Sequence, residues 1–214
     1  EYGADACRMA LTFSTTDARQ IDLDRRRFEE FKNFANKVWN GTRFVLINLK
    51  ETLTPEVFAT GIDYSQLTLD DRWILEELRT TVTSVTDSLT SYTFDKAAKE
   101  AYEFFWNKFC AFYVEMIKPV LFGKVGNPLL QENKQKVLVA VLVQSLRLLH
   151  PMDPFITEEL FSHIKSRFAG IENYTSPEPI TQEAIQALSA SACMLAPFPR
   201  PLQPEDSVTK EEFA

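Results

Sequence analysis

Residues 33–44 read Asn33-Phe34-Ala35-Asn36-Lys37-Val38-Trp39-Asn40-Gly41-Thr42-Arg43-Phe44. Residues three, four and seven apart share one face of a helix. That spacing puts Asn33, Asn36, Lys37, Asn40, Arg43 and Phe44 on one stripe. Ala35, Val38, Trp39, Thr42 and Leu46 fall largely off it. The stretch is predicted to be a helix with a polar stripe, and Trp39 is expected to pack into the core. Amides and guanidinium groups can pair with base edges, and a terminal ring can stack on an unpaired base. The same composition suits a solvated face that binds nothing, so the stretch alone leaves both readings open. Three asparagines tilt towards binding, because Lys or Glu would cost such a helix less.

The rest of the chain repeats the helical period. Residues 2–14 read as a short helix and Ser14 to Gln20 as a polar loop. Ile21 to Asp24 leads into a long helix ending near Lys50. Thr54-Pro55 is a cap followed by proline at the first helical position. Gly61 to Gln66 reads as loop. Thr68 to Asp71 has the form of a capping box, with Asp in the usual place of Glu. It opens a helix through Trp73, Leu75, Leu78, Val82, Val85 and Leu89. After a break at Ser91-Tyr92-Thr93, Phe94 to about Phe122 carries Ala98, Ala101, Phe105, Phe109, Phe112 and Met116 at helical spacing, and Pro119 is expected to kink or shorten its end. Gly123 to Pro128 is a turn. Leu130 to His150 shows Leu138, Leu142, Ser145, Leu146 and Leu149 on one face. Pro151 and Pro154 mark a corner before a helix over Phe155 to Phe168. From Gly170 the chain is proline-rich, with one short helix expected from Gln182 to Ser189. No segment alternates with a strand period, so the expected fold class is all-α. It is a helical bundle over residues 1–169 with an extension over 170–214.

Composition narrows the class of function. Glycine is scarce, 6 residues against 17 Phe, which favours long helices over short strands. No apolar run approaches the ~20 residues that span a bilayer, so no membrane partner is expected. The first residues lack a basic segment followed by an apolar one, so no signal peptide is expected, and the missing initiator Met suggests a piece of a longer chain. Three widely spaced cysteines fit neither a zinc site nor a disulfide framework and point to a reducing, cytoplasmic setting. The net charge of −7 looks wrong for a nucleic-acid binder. Its distribution weakens that objection. Residues 1–50 carry net +2 and residues 51–214 net −9. A local basic patch can steer a phosphate backbone on an acidic protein.

Catalytic constellations are absent from the pattern. Gly123-x-x-Gly126 lacks the context of a phosphate loop. Asp70/Asp71 and Glu158/Glu159 read as helix-start acids favoured by the helix dipole. His150 sits at a helix end where an imidazolium suits the dipole, and His163 reads as a surface residue. Arg25-Arg26-Arg27 opposes the dipole at a helix start, which Asp22 and Asp24 can offset. These arginines either reach RNA or pair with Glu29 and Glu30 at helical spacing. Phe105, Trp106, Phe109, Phe112 and Tyr113 read mainly as core.

Several segments carry a resemblance. Tyr2-Gly3-Ala4-Asp5-Ala6-Cys7-Arg8 resembles the segment that follows the catalytic domain in class I aminoacyl-tRNA synthetases. Asn33 to Phe44 resembles the N-F-A-N-K-L-W-N-x-x-R-F signature of the valyl-tRNA synthetases. Asp71 to Leu75, Trp106 to Glu115, Leu149 to Leu160 and Met194 to Pro199 fit the same family. The isoleucyl and leucyl relatives share the bundle but not the signature run. Cys7, Asn107, Ala111 and Asp153 depart from the family pattern.

The resemblance implies an anticodon-binding bundle, with residues 1–23 as the junction after an absent catalytic domain. The parent ligase would use ATP and Mg to join valine to its tRNA, and this segment would hold no cofactor and no catalytic residue. Its partners would be the anticodon stem-loop of valine tRNA and the catalytic domain of the same parent chain, with no DNA. Family anticodon contacts fall on Arg26, Arg43, Phe44 and Val114, and the stripe adds Asn36 and Asn40. A helical protein-interaction scaffold and the bundle of another class I synthetase are the alternatives.

Overall fold

The computed structural model describes residues 1–15 and 24–168. Every regular element among them is helical. In chain order these are α1 (Ala4–Ser14), α2 (Arg25–Asn48), α3 (Pro55–Ala59), α4 (Leu69–Thr90), α5 (Phe94–Glu103), a π-helical segment (Phe104–Tyr113), α6 (Val114–Leu121), α7 (Pro128–Leu149) and α8 (Pro154–Arg167). A 3₁₀ turn at Tyr64–Gln66 interrupts the expected loop before α4. The expected extension over 170–214, its short helix, and Asp22 lie outside the described residues.

The starts follow the local chemistry. Asp24 caps α2 by accepting from the Arg26 backbone N–H, and its carboxylate also accepts from the Arg26 guanidinium at 2.6 Å. These bonds hold the Asp24 carboxyl below its ordinary range. Arg25 pairs with Glu1 and Arg26 with Asp24, partners other than the Glu29 and Glu30 of one of the two readings left open for this run. Thr54 caps α3 with Pro55 at its first position, and Thr68 and Asp71 form the capping box of α4. Asn127 caps α7 by accepting from Leu130 at 2.8 Å.

Asp5 of α1 supplies a cap that no local pattern encodes. Its carboxylate accepts from the Ile156 N–H at 2.7 Å and from Phe155 at 3.3 Å, at the start of α8. The α8 start is therefore compensated by a residue 150 positions away, not by Glu158 and Glu159, which lie beyond the first turn. Arg8 adds bonds to the Met152 and Pro151 carbonyls, fastening α1 to the α7–α8 corner.

α7 runs through the middle. It packs against α2, α4, α5, the π segment, α6 and α8. It is buried from Gln131 to Leu149 on nearly all sides, not on the single face its leucines suggested. Its polar first half survives burial because neighbouring loops satisfy it. Gln135 accepts from the Lys50 N–H at 2.8 Å, Asn133 exchanges two bonds with the Asp63 backbone, and Lys136 donates to Thr60.

Lys134 is buried against the start of α4. Its ammonium contacts Asp71 at 2.8 Å and also Asp70 and Thr68. Tyr113 donates to the same Asp71 carboxylate at 2.8 Å. The two aspartates thus converge on one buried cation, beyond the helix-start role expected of them. Burial, and then Asp71, push the Tyr113 hydroxyl well above the ordinary tyrosine range.

The aromatic helix departs from the α period. Over Phe104–Tyr113 the ladder widens to i→i+5, as in the bond from the Val114 N–H to the Phe109 carbonyl. The wider turn places Phe105, Phe109 and Tyr113 in the core and turns Phe112 out. Phe112 then packs edge-on against Trp73 at 4.9 Å. Phe112 and Met116 are therefore not core residues, contrary to the α spacing. Pro119 is accommodated in the last turn of α6, and its carbonyl accepts from Lys124.

Candidate nucleic-acid interface

The outer side of α2 is a ridge. Asn33, Asn36, Asn40 and Arg43 are exposed along it, while Phe31, Phe34, Val38, Thr42 and Val45 point into the core. The predicted polar stripe therefore exists as an open surface. Trp39 belongs with it rather than with the core. Trp39 is 38% exposed on the shoulder facing α8, where its ring neighbour is His163. The α period could not show this, because the element that might have covered Trp39 is set only by the packing of α8.

A groove lies on each side of the ridge. The first, of about 180 Å³, is lined by Lys37, Asn40, Gly41 and Phe44 of α2, Cys110 of the π segment, and Val114, Glu115 and Lys118 of α6. It brings together Asn40, Phe44 and Val114, three of the residues predicted from sequence. Val114 is almost fully buried and forms the floor. Phe44 is half-buried and holds the Lys118 ammonium 5.3 Å from its ring centre. Lys118 is in turn paired with Glu115 at 2.6 Å. Lys37 sits over Trp106 at 5.2 Å on the other wall.

Arg43 opens onto the second groove, of about 430 Å³, with Trp39, Leu46, Ile47, Leu160, His163 and Arg167. Arg43 and Phe44 are neighbours in sequence but face different grooves. Asn36 stays on the exposed ridge between them. Arg26 is not brought to either groove. At about 1.5 Å of rise per residue it lies roughly 26 Å from Arg43 along α2. Its side chain is exposed and tied to Asp24.

Sequence reasoning missed Gly41, Cys110, Glu115 and Lys118. A glycine inside a helical pattern is a signal of close backbone approach, and Gly41 serves that purpose. A Cβ there would stand 3.0 Å from Cys110 Sγ and 3.4 Å from the Phe105 ring. Burial pushes the Cys110 thiol up to about 12, so it lines the groove as a neutral, apolar group.

The remaining titratable groups offer no catalytic set. Burial lowers the His150 pKa, and its Nδ1 lies 2.8 Å from the Thr157 hydroxyl, an environment that favours the neutral ring over the expected imidazolium. His163 is exposed and pairs with Glu159, as its surface reading required. Among the described residues no three His, Cys, Asp or Glu side chains cluster to hold a metal. Among them, too, no helix is long and apolar enough to cross a membrane. Of the Phe-rich helices that the scaffold alternative would use, Phe104, Phe105 and Phe109 are core, while Phe112 and Phe122 are exposed.

The ridge thus carries three asparagines and Arg43 on an all-helical bundle. Residues 71–214 match the family described as the anticodon-binding domain of tRNA ligase, and the chain belongs to that family. Its relatives are more specific. The chain is 55% identical over its whole length to the valine–tRNA ligase of Protochlamydia amoebophila (strain UWE25). It is 44% identical to that of Chlamydia felis (strain Fe/C-56) over 95% of the chain. It spans 23% and 21% of the length of these two relatives.

Proposed function

We propose that this chain is the anticodon-reading part of a valine–tRNA ligase, a cytoplasmic enzyme that joins valine to its tRNA at the expense of ATP. Valine codons begin with GU, so valine anticodons share the middle A and the last C and vary at the first base. The reader must hold two bases firmly and tolerate the third. Anticodon-loop bases can be splayed from their stack and read on exposed edges.

The observation that carries this reading is the convergence of Lys37, Asn40, Phe44 and Val114 on one groove. Phe44 and Val114 supply apolar surface, and Asn40 supplies a donor and an acceptor for a base edge. Lys37 and Lys118 supply positive charge at the walls. Asn36, Arg43 and Arg26 extend the surface along α2, with Arg26 placed for phosphate rather than for the same base.

The test is a titration of the 214-residue chain with a valine anticodon stem-loop. Binding should weaken when the middle A or last C is replaced, and should fall as salt rises. Phe44→Ala should weaken it about tenfold or more, the scale of one base–aromatic stack. Equal binding of matched and mismatched loops, or unchanged affinity in a folded Phe44→Ala variant, would overturn the proposal.

A further inference from the structure

The two grooves beside α2 differ in chemistry. The Phe44 groove offers an amide and two lysines, which can discriminate base edges. The second groove is walled by Trp39, Leu46, Ile47 and Leu160, with polar groups confined to Arg43, His163 and Arg167. At about 430 Å³ it falls in the size range of small-molecule sites.

Three features point to an unpaired nucleobase as its occupant. The Trp39 indole is exposed although α2 is otherwise covered on its inner side. Its protein ring neighbour, His163, stands 6.0 Å away at 87°, so the two rings do not stack on each other. The rim is cationic. Arg43 has no hydrogen-bond or ionic partner among the described residues, and Arg167 is fixed by the Leu46, Leu49 and Lys50 carbonyls. Glu159 is the acid at this edge, and it is engaged with His163 at 3.3 Å. An apolar aromatic floor under a cationic rim matches a base attached to a phosphate.

Resting on the anticodon-reading function above, we infer that the Trp39 groove is a second, sequence-tolerant nucleobase subsite that receives the variable first base of the anticodon. Stacking is blind to sequence, because every base has a π-face. A groove with apolar walls therefore contributes affinity without selecting a base, which is what the variable position demands. The two neighbouring bases that must be specified fall to the polar groove across the ridge. Arg43, on the crest, holds the backbone as it crosses.

The experiment is a cycle on the 214-residue chain. Trp39→Ala, Trp39→Phe and Phe44→Ala are titrated with valine anticodon stem-loops bearing each of the four first bases, and with one abasic at that position. Trp39→Ala should weaken the four intact loops about equally, by about tenfold. Trp39→Phe should retain most of the affinity. The abasic loop should bind the unaltered chain as weakly as the intact loops bind Trp39→Ala, with no further loss when the two are combined. Thermal melts confirm that each variant is folded. The inference fails, and the anticodon-reading function stands, if Phe44→Ala weakens binding while Trp39→Ala or the abasic site does not. Both fail if the unaltered chain does not distinguish matched from mismatched loops. A Trp39 fluorescence signal that ignores RNA but shifts on removal of residues 169–214 would assign the groove to the chain's own C-terminal segment and overturn the inference.

Discussion

Gly41 on α2 faces Cys110 so closely that a Cβ at position 41 would lie 3.0 Å from the Cys110 sulfur. This approach brings α2 against the π segment and sets the width of the Phe44 groove. Gly41→Ala gains about 1 kcal/mol of helix propensity and loses about 1–3 kcal/mol to overpacking. The expected net effect is a destabilisation of about 1 kcal/mol with weaker RNA binding. Cys110→Ala opens the space, so the double variant should be more stable than additivity allows by about 1 kcal/mol. Chemical denaturation of the four proteins measures the coupling. Additive effects would mean that the contact does not limit the approach.

Lys134, Asp71 and Tyr113 form one buried polar group at the junction of α4, α7 and the π segment. Removing one partner of a buried ion pair leaves an uncompensated charge, at a cost of about 3–5 kcal/mol. Lys134→Met should therefore destabilise the bundle on that scale. Tyr113→Phe removes one bond to a carboxylate and should cost about 1.5–3 kcal/mol. Val114 follows Tyr113 directly, so Tyr113→Phe should also loosen the groove floor and weaken RNA binding more than its stability loss explains. Denaturation curves and the stem-loop titration, read together, check both statements.

Asp153 is buried at the start of α8, and its Oδ2 lacks a hydrogen-bond partner. Burial, and then the nearby Asp5 carboxylate, raise the Asp153 pKa well above the ordinary carboxylate range, against an opposing contribution from Arg8. The folded state then binds more protons than the unfolded state above the ordinary value. Its contribution to stability is complete below that value and is lost as pH rises through the raised one. Asp153→Asn removes the charge without changing the shape. The expected outcome is little change in melting temperature near pH 4 and a clear gain at pH 7–8. A gain independent of pH would show that Asp153 is not held protonated.

The helices were legible because their causes are local. The capping box at Thr68 and Asp71, the Thr54-Pro55 start and the α2 period all rest on residues within a few positions of one another. Long-range causes were not legible. The cap that starts α8 comes from Asp5, and the polar half of α7 is tolerated because the Lys50, Thr60 and Asp63 loops lie against it. The π segment was not legible because its ten residues also fit an α period, on which Phe112 lies inside, whereas the wider turn puts it out.

By itself, the sequence determined that α2 carries a polar outer stripe, since a helix of fixed period leaves no other place for Asn33, Asn36, Asn40 and Arg43. Its signature run also determined the family. Only the tertiary structure decided how that stripe is divided. The π segment and α6 close on one flank and α8 stands off the other, so Phe44 joins Val114 and Lys118 while Arg43 joins Trp39 and His163. The side of a helix is set by 3.6 residues per turn, but what faces that side is set by how distant elements pack.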